Sequence, residues 1–376
     1  MPLAGIASLP EDFRTHTTAP TSNLAAMRTE QRVLFVNTRD RLEADVAVHV
    51  QLAHGLQQSG SYAAFSLTRT ATSYLSRRIA GLPTLPLPSQ QPQHSSRRVP
   101  PIRLAAALHT MIRYTLTHRI AILHATDRPR EAFLAILAAH LTHRAAIIHV
   151  HSNIDASSSR ISRWSIAHAD AVIGVSHFLC RSIEQLSLPA RNLTAVHNAV
   201  DTDRFHPRRS PEARYDWRSR LGIPPTVFLI GLIGRRIPYK GHADLLAAIA
   251  AAGPDLATIH IALVGAPNAA FPGYTQELQK QAQHFDIAQR VHFLDYQHDI
   301  LPVYQALDLL AVPSWDEPFG LVIIEAMATK LPIVGYASGA LPEIITSGRD
   351  GILVSRRDIA ALRQAITRLL HDPVLA

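Results

Sequence analysis

The chain has 376 residues, 47% of them apolar, and carries a net charge of +8 with a single cysteine. At roughly 100 to 200 residues per domain this length suits two domains, and the apolar share is ample for two cores, which excludes a disordered or fibrous chain. No apolar run approaches the roughly 18 to 20 residues that a membrane-spanning helix needs. Cys180 has no partner for an internal disulfide and the first thirty residues lack the apolar core of a signal peptide, so the expected location is the cytoplasm.

In chain order, residues 1–30 are rich in Thr, Ser, Pro and Ala without periodicity and read as a disordered tail. Met27, just ahead of the first strand-like run, is a candidate true start. From there, short apolar or β-branched runs alternate with longer segments of helical period, as in parallel α/β layers. The pattern predicts strands at 33–37, 121–124, 146–150, 171–175 and 193–196. Residues 81–101, crowded with Pro, Ser and Gln, read as a long surface loop. Residues 102–120 read as an amphipathic basic helix bearing Arg103, Arg113 and Arg119 among Leu104, Leu108, Met111, Ile112 and Leu116. A polar stretch containing Arg and Pro, 203–226, reads as the linker between a first domain, 31–202, and a second, 227–376. Within the second, strands are predicted at 227–233, 259–264, 291–294, 309–312, 332–335 and 352–354, with helices between them. Two open α/β units facing each other make a cleft at the carboxyl ends of their strands, and motifs at those ends carry the chemistry.

Charge is divided unevenly. Residues 1–200 hold 20 Arg and no Lys against 11 acids, +9, while the remainder holds 17 basic and 18 acidic residues, −1. A basic half suits an anionic membrane, a phosphate-bearing substrate or nucleic acid. Nucleic acid is the least favoured of the three, because no recognition element and few aromatics accompany the charge.

The strand at 227–233 runs into Gly234-Arg235-Arg236-Ile237-Pro238-Tyr239-Lys240-Gly241, followed by a helix. A glycine turn with a guanidinium, an ammonium and the next helix's N-terminus suits a diphosphate. Lys240 is one of only three lysines in the chain, so its retention asks for a reason beyond solvation of a loop. The strand at 309–312 ends in Pro313-Ser314-Trp315-Asp316-Glu317-Pro318-Phe319-Gly320, and a helix with Leu321 and Glu325 follows. Were 317–325 one continuous helix, its two carboxylates would stand about 12 Å apart along the axis, with the backbone N–H groups of Phe319, Gly320 and Leu321 between them for a phosphate.

These elements, together with Gly339-Ala340-Leu341-Pro342-Glu343, Ala169-Asp170-Ala171-Val172-Ile173-Gly174-Val175-Ser176 and Asn198-Ala199-Val200-Asp201-Thr202, resemble the signature of family 4 of the retaining GT-B glycosyltransferases. The resemblance runs from about residue 121 to 370. It implies two Rossmann-like domains facing across a cleft, with a nucleoside-diphosphate sugar as donor and a sugar or lipid-linked sugar as acceptor. It implies that Arg235 and Lys240 bind the donor diphosphate, Glu317 contacts the donor sugar, and Glu325 holds the ribose hydroxyls. Gly265 and the stretch 294–298, which includes Asp295, match the loops lining the base, and His151 matches the first-domain histidine that faces the sugar. Because Arg235, Lys240 and a helix N-terminus already meet the leaving charge, neither a metal nor another cofactor is expected.

Three features depart from the family pattern. Asn37-Thr38-Arg39-Asp40-Arg41-Leu42 stands where a glycine-rich turn is usual after the first strand, Asp295 stands where a glycine is usual, and the sequence ends at Ala376 where relatives continue with helices returning to the first domain. Alternative activities for such a chain are another GT-B enzyme, an epimerase or a phosphorylase, or a nucleotide-sugar binder without catalysis. Two further patterns are set aside: Asp201-Thr202-Asp203 lacks the acidic neighbours of a cation site, and His149 with His151 lacks a third ligand nearby in sequence. The basic helix at 102–120 also suits peripheral attachment to an anionic inner leaflet, where a lipid-linked acceptor would be met.

Overall fold

The computed structural model describes residues 31–39, 43–68, 71–88, 100–208, 210, 212–251 and 258–372, so the tail expected at 1–30 lies outside the described residues. The first domain alternates β1 (Arg32–Val36), α1 (Ala44–Gln58), β2 (Tyr62–Thr68), α2 (Ser73–Arg78), β3 (Thr84–Leu87), α3 (Pro101–Thr117), β4 (Ile122–Thr126), α4 (Pro129–Thr142), β5 (Ala145–Val150), α5 (Arg160–His168), β6 (Ala171–Gly174), α6 (His177–Gln185) and β7 (Leu193–Ala195). Its strands form one parallel sheet in the order β3-β2-β1-β4-β5-β6-β7.

The second domain begins with α7 (Glu212–Arg220) and continues through β8 (Phe228–Ile233), α8 (His242–Ala250), β9 (Ile259–Val264), α9 (Tyr274–His284), β10 (Val291–Leu294), α10 (Leu301–Ala306), β11 (Leu309–Val312), α11 (Leu321–Ala328), β12 (Ile333–Tyr336), α12 (Leu341–Ile344), β13 (Ile352–Val354) and α13 (Ile359–His371). Its sheet, also parallel, runs β10-β9-β8-β11-β12-β13.

Parallel strands covered on both faces read as near-continuous apolar runs, and the two-residue period decides which core each side chain enters. In β1, Val33 and Phe35 join one cluster with Val46 and Val50 of α1, whereas Leu34 and Val36 join another with Met111 of α3. In β11, Leu309 and Ala311 face one layer while Leu310 and Val312 face the other. Truncating a fully buried member such as Leu34 would cost about 2–5 kcal/mol.

Two segments differ from their sequence reading. Within the expected loop 81–101, residues 84–87 form β3, while 89–99 lie outside the described residues. β3 is an edge strand, which is the position in a sheet that tolerates a proline, here Pro86. Within the expected linker 203–226, α7 packs on the second domain: Trp217, Phe205 and Ile223 share a core cluster with Tyr304 and Leu307. The fully buried Arg218 donates to the carbonyls of Ala306, Pro225 and Val227 and pairs with Asp308 at 2.6 Å. Polar composition marked this stretch as a linker, but inside the fold Arg218 is paired with a carboxylate and hydrogen-bonded to three carbonyls.

The domains meet along the cleft. Phe319 and Ile324 of the second domain pack into the first domain's core cluster, Asn153 Nδ2 donates to the Asp316 carbonyl, and Ser176 Oγ donates to the Pro318 carbonyl. Glu343 accepts from the backbone N–H groups of His177 and Phe178, which open α6. A carboxylate there meets both the orphan donors and the positive end of the helix, so it ties α12 to α6.

Candidate functional site

The turn after β8 is held by glycines where chains approach closely. A Cβ at Gly241, whose φ is 73°, would strike the Pro313 carbonyl, and a Cβ at Gly265 would strike that of Gly234. The turn closes as a short 3-10 segment, Pro238–Lys240, that carries Lys240 inward. Its ammonium pairs with Glu317 Oε2 at 2.6 Å, and both side chains are largely buried. The two adjacent arginines part company. Arg236 is buried and donates to the Leu294 carbonyl, Thr275 Oγ1 and Asp295, whereas Arg235 is exposed and makes no ion pair among the described residues. Arg236 therefore braces the loop after β10, and Arg235 is the guanidinium left exposed. Asp295 is 84% exposed while it pairs with Arg236.

Glu317 lies in an irregular loop, and α11 begins only at Leu321, so the separation reckoned for a continuous helix does not apply. Gly320, at φ 90°, caps α11 and offers no side-chain hydrogen bond to its first N–H groups. Gly339 is required by packing: a Cβ there would strike the Glu317 backbone, whose carbonyl accepts from Ala340 N at 2.9 Å. Thus the two sequence motifs are one structural unit. Phe319 is buried between domains, which leaves its backbone rather than its ring for a ligand. Glu325 accepts a 2.6 Å hydrogen bond from Tyr304, which is buried in the second domain's core. Desolvation of its carboxyl pushes the Glu325 pKa up to about 7, against a hydrogen bond from Tyr304 that lowers it. A salt bridge at the surface, the plain alternative for Glu325, is not what the fold builds.

In the first domain, His151 follows β5, and its backbone N–H donates to Asp127 Oδ1 at 3.1 Å. Burial lowers the His151 pKa to about 4 and raises that of Asp127 to about 6, so the imidazole is neutral. His149 and His151 are joined by His49 from α1, which sequence spacing could not supply; ligand-capable nitrogens of the three lie within 4.8 Å of one another. At the position of the family's glycine-rich turn, Thr38 donates through N and Oγ1 to Glu131, which also accepts from Thr126. Beside it, Arg128 joins Glu43 and Asp45. A packed polar knot replaces a backbone approach. Asp201 Oδ1 accepts from the backbone N–H groups of Asp203 and Arg204, so that triplet forms a turn.

The residues that the resemblance assigns to the donor, Arg235, Lys240, Gly265, Asp295, Glu317, Phe319, Gly320, Leu321 and Glu325, lie on the loops and the first helix turns that follow the carboxyl ends of β8, β9, β10 and β11. Sequence reasoning missed Tyr304 and gave no role to Glu343 of the 339–343 motif, because their contacts arise only from tertiary structure.

Two facing Rossmann-like domains with this motif set define a GT-B protein. A profile of the glycosyl transferases group 1 family matches residues 224–372, and one of glycosyltransferase family 4 matches residues 41–204; the chain belongs to this family. It is 36% identical over 186 residues to a D-inositol 3-phosphate glycosyltransferase of Mycobacterium marinum, an overlap of 49% of this chain and 38% of that one. The corresponding protein of Streptomyces avermitilis is 33% identical over 190 residues, 49% of this chain and 40% of that one. The chain thus spans about two fifths of the length of these curated relatives. Among solved structures, Anabaena HepE in complex with UDP and glucose superposes with a TM-score of 0.77 at 22% identity, covering 92% of this chain and 91% of that one. Sucrose-phosphate synthase from Thermosynechococcus elongatus gives 0.74 at 20% identity, covering 92% and 91%. These likenesses show the fold. No described helix is long and apolar enough to cross a membrane.

Proposed function

We propose that this chain is a retaining glycosyltransferase that moves a sugar from a nucleoside-diphosphate sugar to a hydroxyl acceptor. The observation that carries the reading is the Lys240–Glu317 pair, 2.6 Å apart beside the start of α11. A donor entering there meets Lys240 and Arg235 with its diphosphate and Glu317 with its sugar, while Glu325 receives the ribose hydroxyls. As the anomeric C–O bond lengthens, charge grows on the leaving diphosphate, and Lys240, Arg235 and the helix N-terminus stabilise it. The departing phosphate accepts the acceptor's proton on the same face, which retains anomeric configuration. His151, kept neutral, hydrogen-bonds the sugar from the first domain. The relatives named D-inositol 3-phosphate glycosyltransferase support sugar transfer, and the HepE complexes with UDP and UDP-glucose support a nucleotide-sugar donor.

A lipid-linked acceptor is the second reading. α3 ends at Thr117, short of the expected 120, and exposes Arg113 beside Ile102 and Leu116, with Arg119 exposed in the turn that follows it, whereas Leu104, Leu108 and Ile112 pack against the core. Co-sedimentation that rises with anionic lipid and falls with salt supports peripheral attachment; a chain that stays in the supernatant at low salt points to a soluble acceptor.

The function is tested by incubating the chain with UDP-, GDP- and ADP-sugars and hydroxyl acceptors, and following nucleotide release and anomeric configuration by NMR. Release of nucleoside diphosphate with retention is expected. Epimerised free donor, turnover only with inorganic phosphate, or donor binding with neither transfer nor hydrolysis would each overturn it.

A further inference from the structure

Four histidines converge inside the first domain, from elements remote in sequence. His149 lies in β5 and His151 just beyond it; an i, i+2 spacing on a strand sets both on one face. His49 of α1 covers that face, its ring 5.5 Å from that of His149 and 5.7 Å from that of His151, while His149 and His151 stand 4.2 Å apart. His49 is 1% exposed and His149 3%. Nε2 of His49, both nitrogens of His149 and Nε2 of His151 have no hydrogen-bond partner among the described residues. The fourth ring, His124, packs 4.7 Å from that of His49.

We propose that His49, His149 and His151 form a binding site for a divalent transition ion of the zinc type, and that occupancy of this site withdraws His151 from the cleft. Buried imidazoles with unpaired nitrogens are costly, and one ion accepts lone pairs from all three at once. Their nitrogens already lie within 4.8 Å of one another. A tetrahedral ion with bonds of about 2.0–2.1 Å draws its ligands to about 3.3 Å apart, a closure of the order of an ångström that ring rotation supplies. Among the described residues no carboxylate or thiolate completes the cluster, and an all-imidazole set favours zinc, cobalt, nickel or copper over magnesium, calcium or manganese. Three protein ligands leave a fourth position for water. The Asp127 bond to the His151 backbone fixes the third ligand's approach. The plain alternative is an aromatic cluster around Phe35, whose ring lies 5.4 Å from that of His49 and 5.0 Å from that of His124. That packing explains the rings but not the convergence of unpaired nitrogens.

The effect on the cleft rests on the proposed function of His151; the site itself does not. Untagged protein, stripped with EDTA and desalted, is titrated with Co²⁺ and then Zn²⁺. One equivalent of Co²⁺ giving visible ligand-field absorption, displaced by one equivalent of Zn²⁺, is expected. His49→Phe and His149→Phe should each weaken Zn²⁺ binding at least about tenfold with cooperative melts retained, because ring volume is nearly conserved. His260→Phe, in the separate His260–His292 pair, should leave it unchanged. If either ligand variant does not melt cooperatively, the other carries the test. Absence of one-equivalent binding, or binding unaltered by both ligand variants, overturns the site. Zinc at one equivalent should also inhibit donor hydrolysis by the wild-type chain. Site-dependent binding without inhibition leaves the site standing and overturns the role given to His151.

Discussion

Arg235 and Arg236 are neighbours in sequence with opposite surroundings, and that contrast makes a sharp prediction. Arg235→Ala removes an exposed guanidinium with no ion pair among the described residues, so stability should stay within about 0.5 kcal/mol of wild type. If Arg235 meets the leaving diphosphate, the lost charge-assisted contact is worth roughly 1.5–3 kcal/mol, which lowers kcat/KM about tenfold to a hundredfold. Arg236→Ala should do the reverse at first. It removes donors to the Leu294 carbonyl at 2.9 Å and Thr275 Oγ1 at 3.1 Å from a residue 3% exposed. The expected destabilisation is about 2–4 kcal/mol, with activity falling only as far as the base-side loop loosens. Urea unfolding and donor-consumption kinetics on both variants decide the matter. An Arg235→Ala enzyme within twofold of wild type, with stability unchanged, would falsify the diphosphate role.

Lys240→Ala should cut turnover at least about tenfold and, unlike Arg235→Ala, lower stability by roughly 2–4 kcal/mol, because it leaves the buried Glu317 unpaired. Adding Glu317→Gln should restore the melting temperature; a melting temperature that stays low would show that the unpaired carboxylate is not the cause of the loss. For Glu325, a carboxyl pushed up to about 7 is only half ionised near neutrality, and ribose hydroxyls donate to the ionised form. The donor dissociation constant should therefore fall as pH rises from 6 to 8 in wild type and stay flat in Glu325→Gln; parallel profiles would contradict the ribose role. The stability sign follows from the same raised value: the contribution is full below the unfolded carboxyl's range and is lost as pH rises through about 7. Glu325→Gln should therefore gain on wild type at alkaline pH, by up to about 3 kcal/mol. EDTA should leave turnover intact or raise it, and activity abolished by EDTA and restored by manganese or magnesium would refute a leaving group stabilised by side chains alone.

Much of this was legible in the sequence, for physical reasons that can be named. Strands such as β1 and β11 are buried on both faces and read as continuous apolar runs, and the glycine-bearing turns beside Lys240 and Glu317 announce tight backbone. β3 escaped because an edge strand containing Pro86 looks like a loop. α7 escaped because Arg218 looks solvated until Asp308 and three carbonyls are seen around it. At the site, composition could not tell Arg235 from Arg236, since burial separates them. Nor could spacing bring His49 to His149 and His151, or Glu343 to the start of α6, because those meetings depend on how α1 crosses the sheet and how the domains dock.

Whether the second domain holds a nucleoside-diphosphate sugar is decided most directly by thermal denaturation against a panel of UDP-, GDP- and ADP-sugars, run on wild type and Lys240→Ala. One base class should stabilise the wild-type chain by about 2.7 kcal/mol at a hundred times its dissociation constant and stabilise Lys240→Ala far less at the same concentration. No stabilisation by any member of the panel, or equal stabilisation of both proteins, would contradict it.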